Sequence, residues 1–423
     1  MATKQDNTKK KVLAEPVPEE VEERDDYVDI LGTPTFKRTL TKTVIFLILV
    51  FISSAFVQRE KSVETKLRTA YTALNVIGWY LSLLFLPNTS YKDKRVNFIL
   101  KLGQAALFVY FINLIFLILF DEETTKIVLL SFDPKLADHS EERSYGADCR
   151  LYTPEHPDSK FNNLKEAMDG FVIAHLLGWA FNTVIFRNNV FLWSFSLLFE
   201  IYEQSFRHWL PNFYECWWDH LLLDVFGCNL LGIIIGNYVL KKFKIERFNW
   251  FFDPIEETEK APYYKRFWVS LKHMDKYVET GKWHFLASPW KFFAVLFLFT
   301  ATSFVNLSNF FNKTQLGIPP NQPVLSIRIL FVGIAFICTV EDFYKMIRSK
   351  NRLKTVSFSL LLCCLIIACE FVLFIRNFKP HIYVNNTPLH VIYFWSGMSV
   401  LLICLLSFSL HNGKGLKKLK SVN

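Results

Sequence analysis

Between residues 170 and 240 an otherwise apolar sequence carries carboxylates, carboxamides and histidine at spacings that suit cation chemistry. His175 stands in DGFVIAHLLGW, and Glu200 and Glu203 in FEIYEQSF. Asn212, Glu215 and Asp219 follow in HWLPNFYECWWDH, then Asp224 and Asn229 in LLLDVFGCN. On a helix, Glu200 and Glu203 share a face, as do Glu215 and Asp219. Carboxylate and carboxamide oxygens with little histidine and no cysteine cluster match a hard cation, Ca2+ or Mg2+, rather than zinc. One unbroken helix from Glu215 to Asn229 would separate them by about 21 Å, too far for one ion with ligands at about 2.3–2.6 Å. Either two ions bind, or the NFYE stretch after Pro211 leaves helical geometry and folds back.

The elements that position these groups are membrane spans. Of 423 residues, 51% are hydrophobic and 43 are Phe, well above the usage of soluble domains. Apolar stretches near the length needed to cross a bilayer fall at 43–57, 70–86, 96–120, 170–186, 189–206, 220–240, 291–311, 323–340, 355–375 and 388–410. The expectation is an all-α polytopic integral membrane protein with about ten transmembrane helices. A charged, disordered cytosolic tail is expected over 1–42, a transmembrane catalytic domain over 43–410 with the core of its site in 170–240, and a basic cytosolic tail over 411–423. No cleavable signal peptide is expected before the first span.

With both termini in the cytosol, the cytosolic loops carry roughly twice as many Lys and Arg as the opposite side, which favours that orientation. The net charge of +9 then reads as membrane orientation and attraction to anionic lipid, and no nucleic-acid-binding signature is present. The basic, aromatic 241–290 stretch suits a cytosolic segment lying on lipid. Cys149 and Cys216 fall on the non-cytosolic side, where a disulfide and free thiols are both open. The sequons at Asn312 and Asn385 sit close to the membrane and are expected to be unmodified. Trp217 and Trp218 read as interfacial belt residues, and Gly232 and Gly236 as a close helix-packing patch.

An acid at the centre of a span costs about 2.5–3.5 kcal/mol, so three would cost on the order of 7–10 unless a function retains them. Counted from the non-cytosolic ends of their helices, His175, Glu200 and Asp224 lie roughly 7, 9 and 6 Å deep, at one level. Taken singly, each residue has an ordinary structural role open to it; Glu203, for instance, stands four residues before Arg207. Their joint arrival at one depth points to a site. A multi-helix cation transporter with buried carboxylates is the alternative, but the polar path ends at Asn229, before LLGIIIG.

HWLPNFYECWWDHLLLDVFGCNLLGIIIG resembles the signature of the eukaryotic base-exchange phosphatidylserine synthases, LPNF-x-ECWWD followed by an LD pair and CN-x-x-GI. DPKL at 133–136, SYGADCRLYTP at 144–154, DGFVIAHLLGW at 169–179 and FRNN at 186–189 extend the similarity. The resemblance implies an endoplasmic reticulum membrane enzyme that replaces the head group of phosphatidylcholine or phosphatidylethanolamine with L-serine, dependent on Ca2+ and on no nucleotide. The family's essential polar residues match at His175, Asn212, Glu200, Glu203, Glu215, Asp219, Asp224 and Asn229. His175 and Asn212 are expected to be catalytic, His175 as general base or as nucleophile, and the six others to hold Ca2+. The acidic-pair signature of CDP-alcohol phosphatidyltransferases is absent. A homodimer is one assembly open to such a chain; the sequence does not fix it.

Overall fold

The computed structural model describes residues 62–85, 94–132, 146–157, 159–168, 170–316, 323–377 and 387–422, with isolated positions at 42, 45, 46, 49 and 134. Residues 1–50 and 51–423 form separate units, and everything below concerns the second. The expected 1–42 tail, most of the 43–57 span, most of DPKL and Asn385 lie outside the described residues.

The described residues are overwhelmingly helical. In chain order the helices are α1 (Val63–Phe85), α2 (Lys94–Leu119), α3 (Glu122–Phe132), α4 (Asn162–Ala167), α5 (Gly170–Phe186), α6 (Asn189–Phe206), α7 (Leu230–Lys242), α8 (Glu256–Lys260), α9 (Arg266–Lys272), α10 (Met274–Thr280), α11 (Pro289–Leu316), α12 (Pro323–Arg348), α13 (Phe358–Asn377) and α14 (Leu389–Val422). Each expected span from 70–86 onward coincides with a helix. Among the described residues, five helical stretches are long and apolar enough to cross a membrane: Lys101–Leu119, Asp219–Lys242, Pro289–Gln315, Phe358–Arg376 and Leu389–Gly413. Large apolar side chains such as Leu222, Phe226, Ile234 and Ile235 face outward from the Asp219–Lys242 stretch, as lipid contact requires. The fold is that of an all-α membrane protein. Helix α14 runs on to Val422 through the stretch expected to be a tail, and Asn312 lies inside α11.

Two close packings set the site helices. α5 lies against α7, where a side chain on Gly232 would meet Trp179 Cβ at 2.6 Å and the Leu176 carbonyl at 2.7 Å. The expected small-residue patch is real, and its partner is α5. Only Arg187 and Asn188 join α5 to α6, so the two helices are antiparallel neighbours. Asn188 Oδ1 caps α6 by accepting the Phe191 amide at 2.9 Å, while its Nδ2 donates to the Phe248 carbonyl at 2.7 Å. The core beneath joins Phe186, Phe191 and Phe195 to Trp250.

The remaining spans hold polar clamps. Glu370 on α13, fully buried, accepts hydrogen bonds from Arg328 of α12 at 2.7 Å, Tyr110 of α2 at 2.5 Å and Ser308 of α11 at 2.8 Å. Every oxygen is therefore engaged, the condition for tolerating a buried ion pair. The basic, aromatic segment folds into a small lobe with its own core of Ile255, Met274, Tyr277 and Leu286. Tyr263, Tyr264 and Trp268 stay exposed on it.

Candidate cation and catalytic centre

The segment that carries Asp219, Asp224 and Asn229 is a π-helix, Asp219–Asn229, continuing into α7. The three residues are five apart. An α-helix would spread such a spacing by roughly 140°, whereas π winding brings each within roughly 50° of the last. Gly227 suits this winding, since a side chain there would meet the Leu222 carbonyl, five residues back, at 3.0 Å. Sequence reasoning had no access to the π winding. Residues 214–216 are not helical and follow a short 3-10 turn, Pro211–Phe213. Of the two alternatives open from the sequence, the break after Pro211 is present, and the number of ions is not thereby fixed.

A disulfide between Cys149 and Cys216, Cα atoms 5.3 Å apart, ties the 146–150 strip to the residue next to Glu215. Trp218 Nε1 donates to the Cys149 carbonyl at 3.2 Å, and Trp218 is buried. This corrects its reading as an interfacial belt residue; Trp217 is 62% exposed and keeps that reading. Arg150 holds the outer face of the strip by pairing with Asp148 and Glu155, and its hydrogen bonds pull the Asp148 carboxyl well below its ordinary range.

Within this frame the polar groups converge on Asp224. Its Oδ1 lies 3.0 Å from His175 Nδ1. Trp179, one turn on along α5, donates its indole N–H to His175 Nε2 at 2.9 Å. The ring therefore carries its proton on Nδ1, directed at Asp224. Two further groups of ligand atoms, each within 4.8 Å of one another, share Asp224: Glu200, Glu203 and His220 on one side, Glu215 and Asp219 on the other. His220 Nδ1 is 3.1 Å from Glu200 Oε2, 3.2 Å from Glu203 Oε2 and 3.8 Å from Glu215 Oε2. Cys228 joins His175 and Asp224 in a third such group.

Six of the eight expected residues thus meet directly. Asn229 is buried beside them, its Nδ2 donating to Ser196 Oγ at 2.7 Å. Asn212 is half-buried in the 3-10 turn, three residues before Glu215. Glu203 turns to His220 rather than to Arg207, which contacts Gln204 and lies over the Tyr214 ring. Sequence reasoning missed His220 and Trp179. The signal was present in the spacing, since each stands four residues from a chosen residue, His220 before Asp224 and Trp179 after His175.

The donor chemistry fits a cation. Glu200 Oε2 and Glu203 Oε2 share the single ring nitrogen His220 Nδ1, and Asn229 Oδ1 is a buried acceptor with no donor in hydrogen-bond geometry among the described residues; such crowded acceptors are costly unless something positive meets them.

Known proteins are similar to this chain over most of its length. The family model described as phosphatidyl serine synthase matches residues 97–378. A rice protein named CDP-diacylglycerol--serine O-phosphatidyltransferase 2 is 33% identical over 315 residues, covering 74% of this chain and 73% of that protein. An Arabidopsis thaliana protein named CDP-diacylglycerol--serine O-phosphatidyltransferase 1 is 32% identical, covering 81% and 80%. Human phosphatidylserine synthase 2 is 28% identical over 378 residues, covering 88% of this chain and 76% of the human protein. The chain belongs to the phosphatidyl serine synthase family of phosphatidyltransferases.

Proposed function

We propose that this chain makes phosphatidylserine by exchanging the choline or ethanolamine head group of a membrane phospholipid for L-serine, with Ca2+ as cofactor. The observation that supports the cation part is the crowding of acceptors around Asp224: Glu200 Oε2 and Glu203 Oε2 share the one ring nitrogen His220 Nδ1, and Glu215 and Asp219 close on the other side. Glu200, Glu203, Glu215, Asp219, Asp224 and Asn229 are the residues that would hold Ca2+. Bound there, the ion would neutralise the phosphodiester and favour the crowded phosphorus of the transition state.

The chain's own residues manage the proton. Asp224 orients His175 and supports positive charge on its ring, the logic of an acid–histidine pair. His175 Nε2 holds the lone pair that takes the serine hydroxyl proton, and it becomes available when the Trp179 indole releases it. A bond forms from the serine oxygen to phosphorus, the bond from phosphorus to the choline or ethanolamine oxygen breaks, and the proton passes to that departing oxygen. Asn212, on the turn before Glu215, is placed to orient a substrate.

We place the enzyme in the endoplasmic reticulum membrane with about ten spans, both termini cytosolic and the site toward the lumen. The Lys and Arg asymmetry supports the orientation. The Cys149–Cys216 disulfide supports an oxidising compartment on the site's side.

A second reading has CDP-diacylglycerol as donor, favoured by the names of the rice and Arabidopsis relatives. It keeps the same nucleophile and changes only the leaving group. Purified protein given labelled L-serine and one donor at a time separates the two readings. Product from phosphatidylcholine or phosphatidylethanolamine, lost in chelator, supports exchange. Product only from CDP-diacylglycerol replaces it with the second reading. Mass measurement in detergent on the same sample tests a homodimer.

A further inference from the structure

We propose that the end of α7 remote from Asp224 binds a lipid phosphomonoester, its phosphate held by Lys241, Lys244 and Arg247 and its acyl chains lying along the outward face of the helix. A cavity of about 540 Å³ opens there, and among the described residues that line it are these three cations and no carboxylate. Glu246, between two lining residues in sequence, is not one of them. Lys241 stands twelve residues beyond Asn229, about 18 Å along the helix, so the cavity is separate from the cation and catalytic centre.

The ordinary basic end of a membrane helix does not account for this cavity. Cations in a last turn offset the helix dipole and meet lipid head groups, which explains Lys241 alone. Lys244 lies past the helix at φ 53, in the left-handed region that glycine usually fills. The Ile245 N–H donates to the Leu240 carbonyl at 2.9 Å and the Lys244 N–H to the Lys241 carbonyl at 3.3 Å, closing the turn. A lysine side chain is thus held at the cavity wall on a backbone that would form more readily without one. The same turn brings Arg247 back toward α7. Its Nη2 donates to Asn237 Oδ1 at 2.8 Å and its Nη1 to Asn189 Oδ1 at 3.4 Å. Both are neutral acceptors, so they orient the guanidinium without neutralising it.

Charge and geometry select the ligand. A phosphomonoester carries about −1.5 to −2 near pH 7 and presents three terminal oxygens, one for each cation. A diester carries a single charge on two. The helix surface selects a lipid over a soluble phosphate. Leu231, Ile234, Ile235 and Tyr238 are exposed at the spacing of one helix face, and Lys241 continues the row. Acyl chains on that row bring a head group to the cavity.

The test uses the full chain, purified in detergent, with native mass spectrometry counting the lipid retained. Phosphatidic acid, a phosphatidylinositol monophosphate, phosphatidylserine and phosphatidylcholine are titrated separately. The expected result is one phosphomonoester lipid per chain, bound about tenfold or more tightly than phosphatidylserine or phosphatidylcholine. Whichever of the first two binds more tightly identifies the head group. K241Q, K244Q and R247Q together should remove the preference. K244G should lower affinity about twofold to fivefold while the melting temperature holds or rises, since glycine suits the turn and an exposed ion pair is worth about that much. A lysine that serves the turn alone would leave lipid affinity unchanged in K244G, and that result overturns the proposal. Equal binding of phosphatidylserine by the unmodified chain overturns it and needs no variant to fold. So does a preference that survives the triple substitution in protein that melts normally. Displacement of the lipid by an equal concentration of inorganic phosphate rejects the lipid assignment.

Discussion

Asp224 Oδ1 lies 3.0 Å from His175 Nδ1 while the same carboxylate belongs to both acidic ligand groups. In the proposed mechanism, one residue thus ties the ring that moves the proton to the groups that would hold the cation. D224N should damage both functions, whereas H175Q should damage one. Serine incorporation is expected to fall by about 100-fold or more in each, the usual scale for loss of a general base. The Ca2+ concentration for half-maximal activity should rise severalfold in D224N and stay within about twofold in H175Q. A matching Ca2+ shift in H175Q would place that ring in the cation shell instead.

Trp179 donates to the Nε2 lone pair that the proposed mechanism gives to the serine proton. W179F keeps an aromatic ring against Gly232 and Phe195 but removes the N–H. Activity in W179F is expected to stay within about fivefold of the parent or to rise, because one hydrogen bond is worth about 1 kcal/mol net. Inactivation as deep as that of H175Q, in folded protein, would mean the indole N–H is itself required.

The Cys149–Cys216 bridge, 67 residues apart in sequence, stands next to Glu215. Chain-entropy arguments give a loop of that size about 4 kcal/mol of stabilisation. C149S should therefore lower thermal stability and weaken Ca2+ binding, with Glu215 and Asp219 the ligands displaced first. Ca2+ titrations with and without reductant, on the parent and on C149S, check this. Reductant should affect only the parent.

Much of the site is legible in sequence because its acids stand where lipid should be, and that cost marks them out. Glu200, Glu203 and Asp224 announce themselves in this way. His220 does not, because the neighbouring Trp217 and Trp218 make the stretch read as a membrane rim. Its position depends on π winding, which no apolar periodicity encodes and which the Cys149 tether and Gly227 accompany. Trp218 was misread for a related reason: its burial depends on the carbonyl of Cys149, a residue distant in sequence. The helices themselves follow from apolar length, and the compact lobe at 244–288 does not, since its aromatic and basic composition suits a lipid surface equally well.

Outside the spans, His284 carries a pH signature. The ring is fully buried, its Nδ1 accepts the Leu286 amide at 3.1 Å, and Nε2 meets Ser270 Oγ at 3.2 Å. Burial, aided by Lys291, pushes its pKa down to about 3. The unfolded lobe takes up a proton below about 6.5 and the folded lobe does not, so stability present above that pH is lost as pH falls toward 3. The slope should approach about 1.4 kcal/mol per pH unit below 6. Hydrogen exchange of the 252–286 amides should accelerate on acidification in the parent and respond less in H284Q.

Glu370 and Arg328 make a prediction of opposite signs. Removing one partner of a buried pair costs about 3–5 kcal/mol, while replacing both with apolar residues is often neutral. R328M should sharply lower the melting temperature in detergent, and R328M combined with E370M should recover most of it. If the double variant is no better than the single, the cluster has a role beyond clamping α2, α11, α12 and α13.

The π winding of Asp219–Asn229 also governs which changes of chain length the enzyme tolerates. Losing one residue between His220 and Leu223 would let the segment relax to α winding and close the five-residue interval to four. The apolar end of α7 would then rotate out of register with Trp179 and Thr183, against which Gly232 and Gly236 are fitted. A residue gained or lost beyond Gly236 merely shifts where the helix leaves the membrane. The segment is a ruler read to single-residue accuracy at one end and loosely at the other. Related sequences should therefore vary in length only past Gly236.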